Sequence, residues 1–279
     1  MSVEDLTSGA VKPLMRVALG VEYDGSQFHG WQAQKFAVAS VQAELEAALS
    51  KVAAEPISVI CAGRTDTGVH ASEQVVHFDT HATRDMRAWI LGTNSNLSRH
   101  VSVRWATPVS MDFHARFSAV ERQYRYVIYN HSVQPALFNR HLTWTHKPLN
   151  VERMQQAANY LLGTHDFTSY RAVQCQAKSP VRTLHELSVQ RFGDYIVLNV
   201  RANAFLHHMV RNLAGVLMKI GAGEAEPTWA REVLQARDRR LGGVTAPPFG
   251  LYLVRAGYPE HFLLPQEAPG PSFIKALMG

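Results

Sequence analysis

Cys61-Ala-Gly-Arg-Thr-Asp66-Thr-Gly-Val-His70 lies between two apolar runs, residues 57–61 before it and residues 73–79 after it. Each run has the length and composition of a strand. The glycine-bearing turn between them presents Arg64 and Asp66, opposite charges two residues apart, on the kind of strand-joining loop that carries function on a rigid scaffold. The rest of the first half falls into place around this strand–turn–strand unit. Residues 16–24 alternate, with Val17, Leu19, Val21 and Tyr23 on one face of a strand. Asp24-Gly25-Ser26 is turn chemistry and opens a connector, residues 27–34, rich in aromatics and amides. Ser40 is placed to cap a helix with Val41, Leu45, Ala48 and Val52 on one face. A second helix is expected over 83–91, ended by Gly92, and a strand over 101–109. The order is β-α-β-β-α-β, that of a ferredoxin-like unit.

The second half repeats that order. A strand over 122–129 precedes a helix capped by Asn150, with Leu149 and Met154 set as a hydrophobic staple. Residues 181–191 and 195–201 read as a hairpin turning at 192–194. Helices follow over 207–220, closed by Gly221 and Gly223, and over 229–236, then a short strand at 251–255. The expected fold is α/β (α+β), two ferredoxin-like halves, 1–112 and 113–279, that form a mixed, mostly antiparallel sheet with helices packed on it and a positively charged cleft. Residues 1–13 read as a loose leader and the proline-bearing tail after Pro259 as irregular.

Composition narrows the function. Of 279 residues, 46% are hydrophobic and 18% charged, an ordinary globular balance. The formal charge is +5, and 21 of the 28 basic residues are Arg, whose planar fork suits phosphates and carboxylates. Two cysteines, Cys61 and Cys175, exclude a disulfide framework and a cysteine-rich zinc site. The N-terminus has no signal-peptide pattern, and no run reaches the ~18 apolar residues of a membrane span. A soluble protein of a reducing compartment, the cytoplasm, is expected.

Asp66 can be a turn former or a reacting group. Arg64 beside it favours the ionised carboxylate, and at the reference carboxylate pKa of ~3.9 an Asp is already charged at neutral pH. Such a group can attack without a base to activate it. Asp66-Thr-Gly is also the aspartic-protease triplet, but those enzymes share one proton between two carboxylates, and this chain has one triplet with a cation next to it. Residues 113–129 interleave Phe117, Tyr124, Tyr126 and Tyr129 with Arg116, Arg122 and Arg125: an aromatic core strand, or a surface for a stacked base beside phosphates. Arg211 interrupts an otherwise apolar helix, so it calls for a carboxylate partner, for which Asp66 is a candidate. The 14 histidines show no metal-ligand spacing: His77 and His81 lack the helix of a His-Glu-x-x-His site, and His207 and His208 point apart if helical. Cys61 reads as a small core residue.

From residue 17 to 258 the chain resembles the tRNA pseudouridine synthase A family. The resemblance rests on Tyr23-Asp-Gly with Gly30-Trp-Gln, Gly63-Arg-Thr-Asp66 with Gly68-Val-His70, Phe113-His-Ala-Arg-Phe117, 122–129, Asp166-Phe-Thr-Ser169, His207-His-Met-Val-Arg-Asn212 and Gly250-Leu-Tyr-Leu253. Thr67 departs from the family's usual Ala or Ser. The resemblance implies isomerisation of uridine to pseudouridine at positions 38–40 of the tRNA anticodon stem-loop, without cofactor or metal. It makes Asp66 the catalytic carboxylate and Tyr124 the stacking tyrosine. Arg211 becomes the basic partner of the Asp, Leu251 an apolar wall, and Arg64 a further substrate contact. It also implies a homodimer holding tRNA across both subunits. Two alternatives stand beside it: a tRNA-binding or folding protein without chemistry, and an aspartic-protease-like dimer.

Overall fold

The computed structural model describes residues 13–33, 38–267 and 269–274. The leader expected over 1–13 lies outside these residues apart from Pro13, as do the N-terminal residues on which the signal-peptide reading rests and Gln34 of the amide-rich connector. Among the described residues the first half consists of β1 (Met15–Tyr23), α1 (Val41–Ala53), β2 (Ile60–Cys61), β3 (His70–Thr80), α2 (Met86–Asn94) and β4 (Val101–Val109). The second consists of β5 (Glu121–Asn130), β6 (Thr143–Thr145), α3 (Val151–Asn159), β7 (Gly163–Asp166), β8 (Val181–Phe192), β9 (Tyr195–Ala202), α4 (Met209–Gly221), α5 (Trp229–Ala236) and β10 (Leu251–Gly257).

All ten strands form one sheet, in the order β4-β1-β3-β10-β5-β9-β8-β7, with β2 on β3 and β6 on β5. Each half has the same internal order, β4-β1-β3-β2 in the first and β10-β5-β9-β8 in the second. Pairing is antiparallel except for β10 on β3 and β6 on β5. The edge of β3 is divided between two partners. β2 takes its far end, with Ile60 opposite His77 and Cys61 opposite Val76, and β10 takes its near end, with Tyr252 opposite His70 and Leu253 opposite Ala71. The Asp66 turn leaves the sheet where that change of partner occurs. The mixed, mostly antiparallel sheet of two similar halves is therefore the fold of this chain.

Local chemistry explains the boundaries. Ser40 Oγ accepts the Ala43 N–H and Asn150 Oδ1 the Arg153 N–H, so both expected caps form. α2 starts at Met86 rather than 83 because Asp85 caps it, accepting the Arg87 N–H. It also runs through Gly92, where the missing side chain lets Val52 of α1 come close. The 181–201 hairpin turns in two residues, with Gly193 at φ 58°. The apolar run before the turn contributes only two residues to the sheet as β2. β6 and β7 are short strands that periodicity does not reveal.

One core runs under both halves on the helix-covered face, from Leu19, Leu45, Phe78 and Trp89 to Met154, Leu198, Leu213 and Leu217. The other face carries two smaller clusters, around Trp105 and Phe113 and around Val197 and Val254. The turn itself is wedged against the segment that follows β1: a Cβ on Gly25 would lie 1.9 Å from the Val69 carbonyl oxygen. Backbone cannot yield as a flexible side chain can, so Gly25→Ala should cost ~3 kcal/mol. Urea denaturation checks this, and an unchanged midpoint would show that the approach is not a constraint.

Candidate active site

The turn over residues 62–69 is held from several sides before any substrate arrives. Thr65, next to Asp66, is fixed at both ends: the Trp31 N–H donates to its carbonyl at 3.0 Å, and its hydroxyl bonds Tyr23 Oη at 2.8 Å. Gly30 adopts φ 96°, and a Cβ there would lie 2.9 Å from the Thr65 oxygen and 3.3 Å from the Asp66 carbonyl carbon. The buried Gln74 side chain brackets Gly63, accepting its N–H at 3.3 Å and donating to its carbonyl at 2.5 Å. Asp66 closes the turn by accepting the Val69 N–H on its backbone oxygen. At the turn's end, His70 lies buried between the rings of His141 and Tyr252.

Asp66 faces a cleft of about 420 Å³ that Trp31, Arg64, His207, His208 and Arg211 also line. Its two oxygens meet two histidines of the other half: Oδ1 lies 3.2 Å from His207 Nε2 and Oδ2 3.4 Å from His208 Nε2. This convergence differs from the expectation that the two rings point apart. The helix begins at Met209, and His208 stands before it at φ 61°, a left-handed backbone that a non-glycine residue adopts at a cost. Burial holds His208 below the usual histidine range against the pull of Asp66.

Arg211, on the first turn of α4, shares the cleft, but no ion pair with Asp66 forms among the described residues. Its Nε donates to the Ala246 carbonyl at 2.8 Å, while the Ala246 N–H donates to the Arg211 carbonyl. Burial lowers its pKa and the Asp66 charge opposes that, so the two are coupled through space rather than by contact. Arg64 is exposed at the cleft. Tyr124 is buried in β5, edge-on to Phe205 with centroids 4.9 Å apart, and its hydroxyl would lie 3.8 Å from a Cβ on Gly63. Burial raises its pKa, partly offset by Arg122. Leu251 is buried at the start of β10, opposite Tyr126. Cys61 is a core thiol that burial pushes up to about 11.

A profile of the tRNA pseudouridine synthase family matches residues 20–118 and 157–259, both halves of the sheet. The chain belongs to the tRNA pseudouridine synthase family. Among its curated relatives, tRNA pseudouridine synthase A of Alcanivorax borkumensis is 61% identical over 261 residues, 94% of this chain and 98% of that one. The same-named protein of Pseudomonas aeruginosa is 60% identical over 268 residues, 96% of this chain and 94% of its own. A chain of a solved Cbf5-Nop10-Gar1 complex aligns with 85% of this chain and 49% of its own at 11% identity and a TM-score of 0.35; nothing is built on so distant a likeness.

Much of what marks this synthase in sequence is supporting structure. Asp166 accepts the Thr168 N–H and hydroxyl, and Ser169 Oγ accepts the Asp238 N–H. Asn212 is buried, donating to the Tyr170 carbonyl and accepting from Arg239 and Thr245. Tyr126 is a core residue whose hydroxyl donates to the Pro247 carbonyl. Arg125 is buried on the opposite face, donating to Asn199 and to the Pro269 and Gly270 carbonyls. Neither therefore forms the open aromatic–arginine surface that the strand pattern offered. Metal-ligating atoms do gather in two places that sequence spacing conceals, Asp24 with His70 and His141, and Asp66 with His207 and His208. In the first, His70 Nδ1 already accepts the Gly25 N–H at 3.1 Å.

Arg122 of the synthase ties the strand-end loops together. Its guanidinium donates to the carbonyls of Ala62 (2.9 Å), Arg116 (2.7 Å), Ala119 (3.0 Å) and Asn203 (3.4 Å). Arg122→Ala would leave these acceptors without their cation at ~1–3 kcal/mol for each one that water cannot reach. The expected outcome is a lower melting temperature together with a loss of activity larger than that of any single carbonyl contact; a variant with wild-type turnover would show that the loops hold their places without it.

Proposed function

We propose that this chain isomerises uridine to pseudouridine at positions 38–40 of the tRNA anticodon stem-loop, with Asp66 as the catalytic carboxylate. The observation that carries this reading is a carboxylate on a rigidly held turn, at the junction of two α/β halves, in a chain of this family. The reaction breaks the bond from C1′ to N1 of the base, turns the base and joins C1′ to C5; C5 gives up a proton and N1 gains one, so nothing is oxidised or consumed. A carboxylate can serve it by attack on the sugar, by attack on the base or by taking the C5 proton. A uridine must first leave its stack, at a cost of a few kcal/mol, and stacking on an aromatic ring, worth ~1–3 kcal/mol, offsets much of that.

The halves 1–112 and 113–279 then divide the work. The first supplies Asp66 and Arg64. The second supplies Tyr124 as the ring for the base, Arg211 as the cation that acts on Asp66, and Leu251 as apolar support. His207 and His208 orient the carboxylate. The same resemblance supports a cytoplasmic homodimer that uses a basic cleft across two subunits, and no helix among the described residues is long and apolar enough to cross a membrane.

Tritium at uridine C5 gives a direct readout. The wild-type protein should release label from tRNA, and Asp66→Asn should slow release on the order of 10³-fold or more while binding tRNA with nearly wild-type affinity. Tight binding without release by the wild type would establish the non-catalytic RNA-binding reading instead. Arg211→Ala should lose activity together with ~1–3 kcal/mol of stability, the cost of leaving the Ala246 carbonyl without its donor; a fully active, fully stable variant would remove it from the site.

A further inference from the structure

We propose that Phe117, backed by His114 and flanked by Arg116, is a stacking platform for an unpaired RNA base next to the nucleotide taken into the Asp66 cleft. The proposal rests on the tRNA reading of that cleft and assigns a second contact to it. Phe117 is 74% exposed, whereas Phe113, four residues before it, is fully buried. Exposing a large aromatic ring gives up apolar burial, and this ring is held rather than loose. The His114 ring stacks on it at 4.3 Å and 27°, and the Arg116 guanidinium reaches over it, 5.4 Å from its centroid.

The loop that carries the ring is rigid. His114 Nδ1 accepts the N–H groups of both Arg116 and Phe117, at 3.2 and 3.1 Å. The His114 N–H donates to Ser118 Oγ, and the Ser118 N–H returns to the His114 carbonyl. One residue on, the Ala115 N–H donates to His77 Nδ1 at 3.1 Å. Both imidazoles act as acceptors at Nδ1, which requires them neutral there. Burial pushes His77 down to about 4 and holds His114 below its ordinary range, in keeping with that role. A ring fixed in this way loses little conformational freedom when a ligand stacks on it.

Its position points to RNA. A single Arg122 nitrogen bonds the Arg116 carbonyl and the Ala62 carbonyl, so the platform stands beside the start of the turn that presents Asp66. An aromatic face with a guanidinium at hand matches the π-face of a base and the phosphate next to it.

The test uses the full-length protein and an anticodon stem-loop RNA with 2-aminopurine in place of a nucleotide on either side of the target uridine. Wild-type protein should quench the fluorophore at one of the two places. Phe117→Leu should restore the fluorescence and weaken stem-loop binding about five- to a hundredfold, Phe117→Trp should retain both, and a perfect duplex of the same length should show no comparable loss. Wild-type quenching and affinity in Phe117→Leu overturn the platform, as does a lower molecular mass by light scattering with unchanged affinity per chain, which would make this face a contact between copies. Tritium release by the wild type is scored in parallel: its absence removes the isomerase reading, whereas its presence beside an unaffected Phe117→Leu removes the platform alone.

Discussion

One guanidinium holds the working end of this molecule together. Arg122 sits at the start of the central strand β5 and gives its protons to four carbonyls of three separate segments. Loops have no ladder to satisfy their backbone oxygens, so a cation with five donors in a fixed plane is an economical way to fix several of them at once. The segments it gathers lead to Asp66, Phe117 and the His207–His208 pair. Carboxylate, exposed ring and imidazoles thus share one anchor, and none of them depends on its own loop alone for its place.

The sheet supplies the second constraint. Because β3 divides its edge between β2 and β10, the Asp66 turn leaves the sheet where the two halves meet. The near end of β3 is clamped there by His70, buried between His141 and Tyr252, so residues of both halves fix the turn's exit. Asp66 then looks across to α4 of the second half. The site is a property of the junction and of neither half by itself.

Much of this was legible in sequence because it is local. Alternation placed β1, side-chain oxygens placed the caps at Ser40 and Asn150, and a glycine-bearing turn placed the β8–β9 hairpin. The repeated element order carried the fold, since two ferredoxin-like orders leave few ways to build one sheet. Legibility stopped where distant segments meet. A two-residue parallel register between β3 and β10 leaves no periodic trace. The left-handed turn at His208 is invisible to a helical pattern, which predicts that the two rings facing Asp66 point apart. Arg122 and Arg125 look alike as basic residues among aromatics and Arg211 as a cation that calls for a carboxylate, yet all three donate to backbone carbonyls.

Among the described residues β10 is the last strand in sequence, and it lies in the middle of the sheet. During synthesis the first half has its four strands in hand long before residues 251–257 leave the ribosome, and until then the near end of β3 is paired with β1 alone and its other edge is open. An unpaired edge of that kind is a template for the wrong partner. On the other side, β5 waits for the same strand. The sheet is continuous only with this one short segment between the two edges, and its Tyr252 also clamps the exit of the Asp66 turn. The turn that presents Asp66 therefore has its full set of neighbours only once residues 251–257 have joined the sheet.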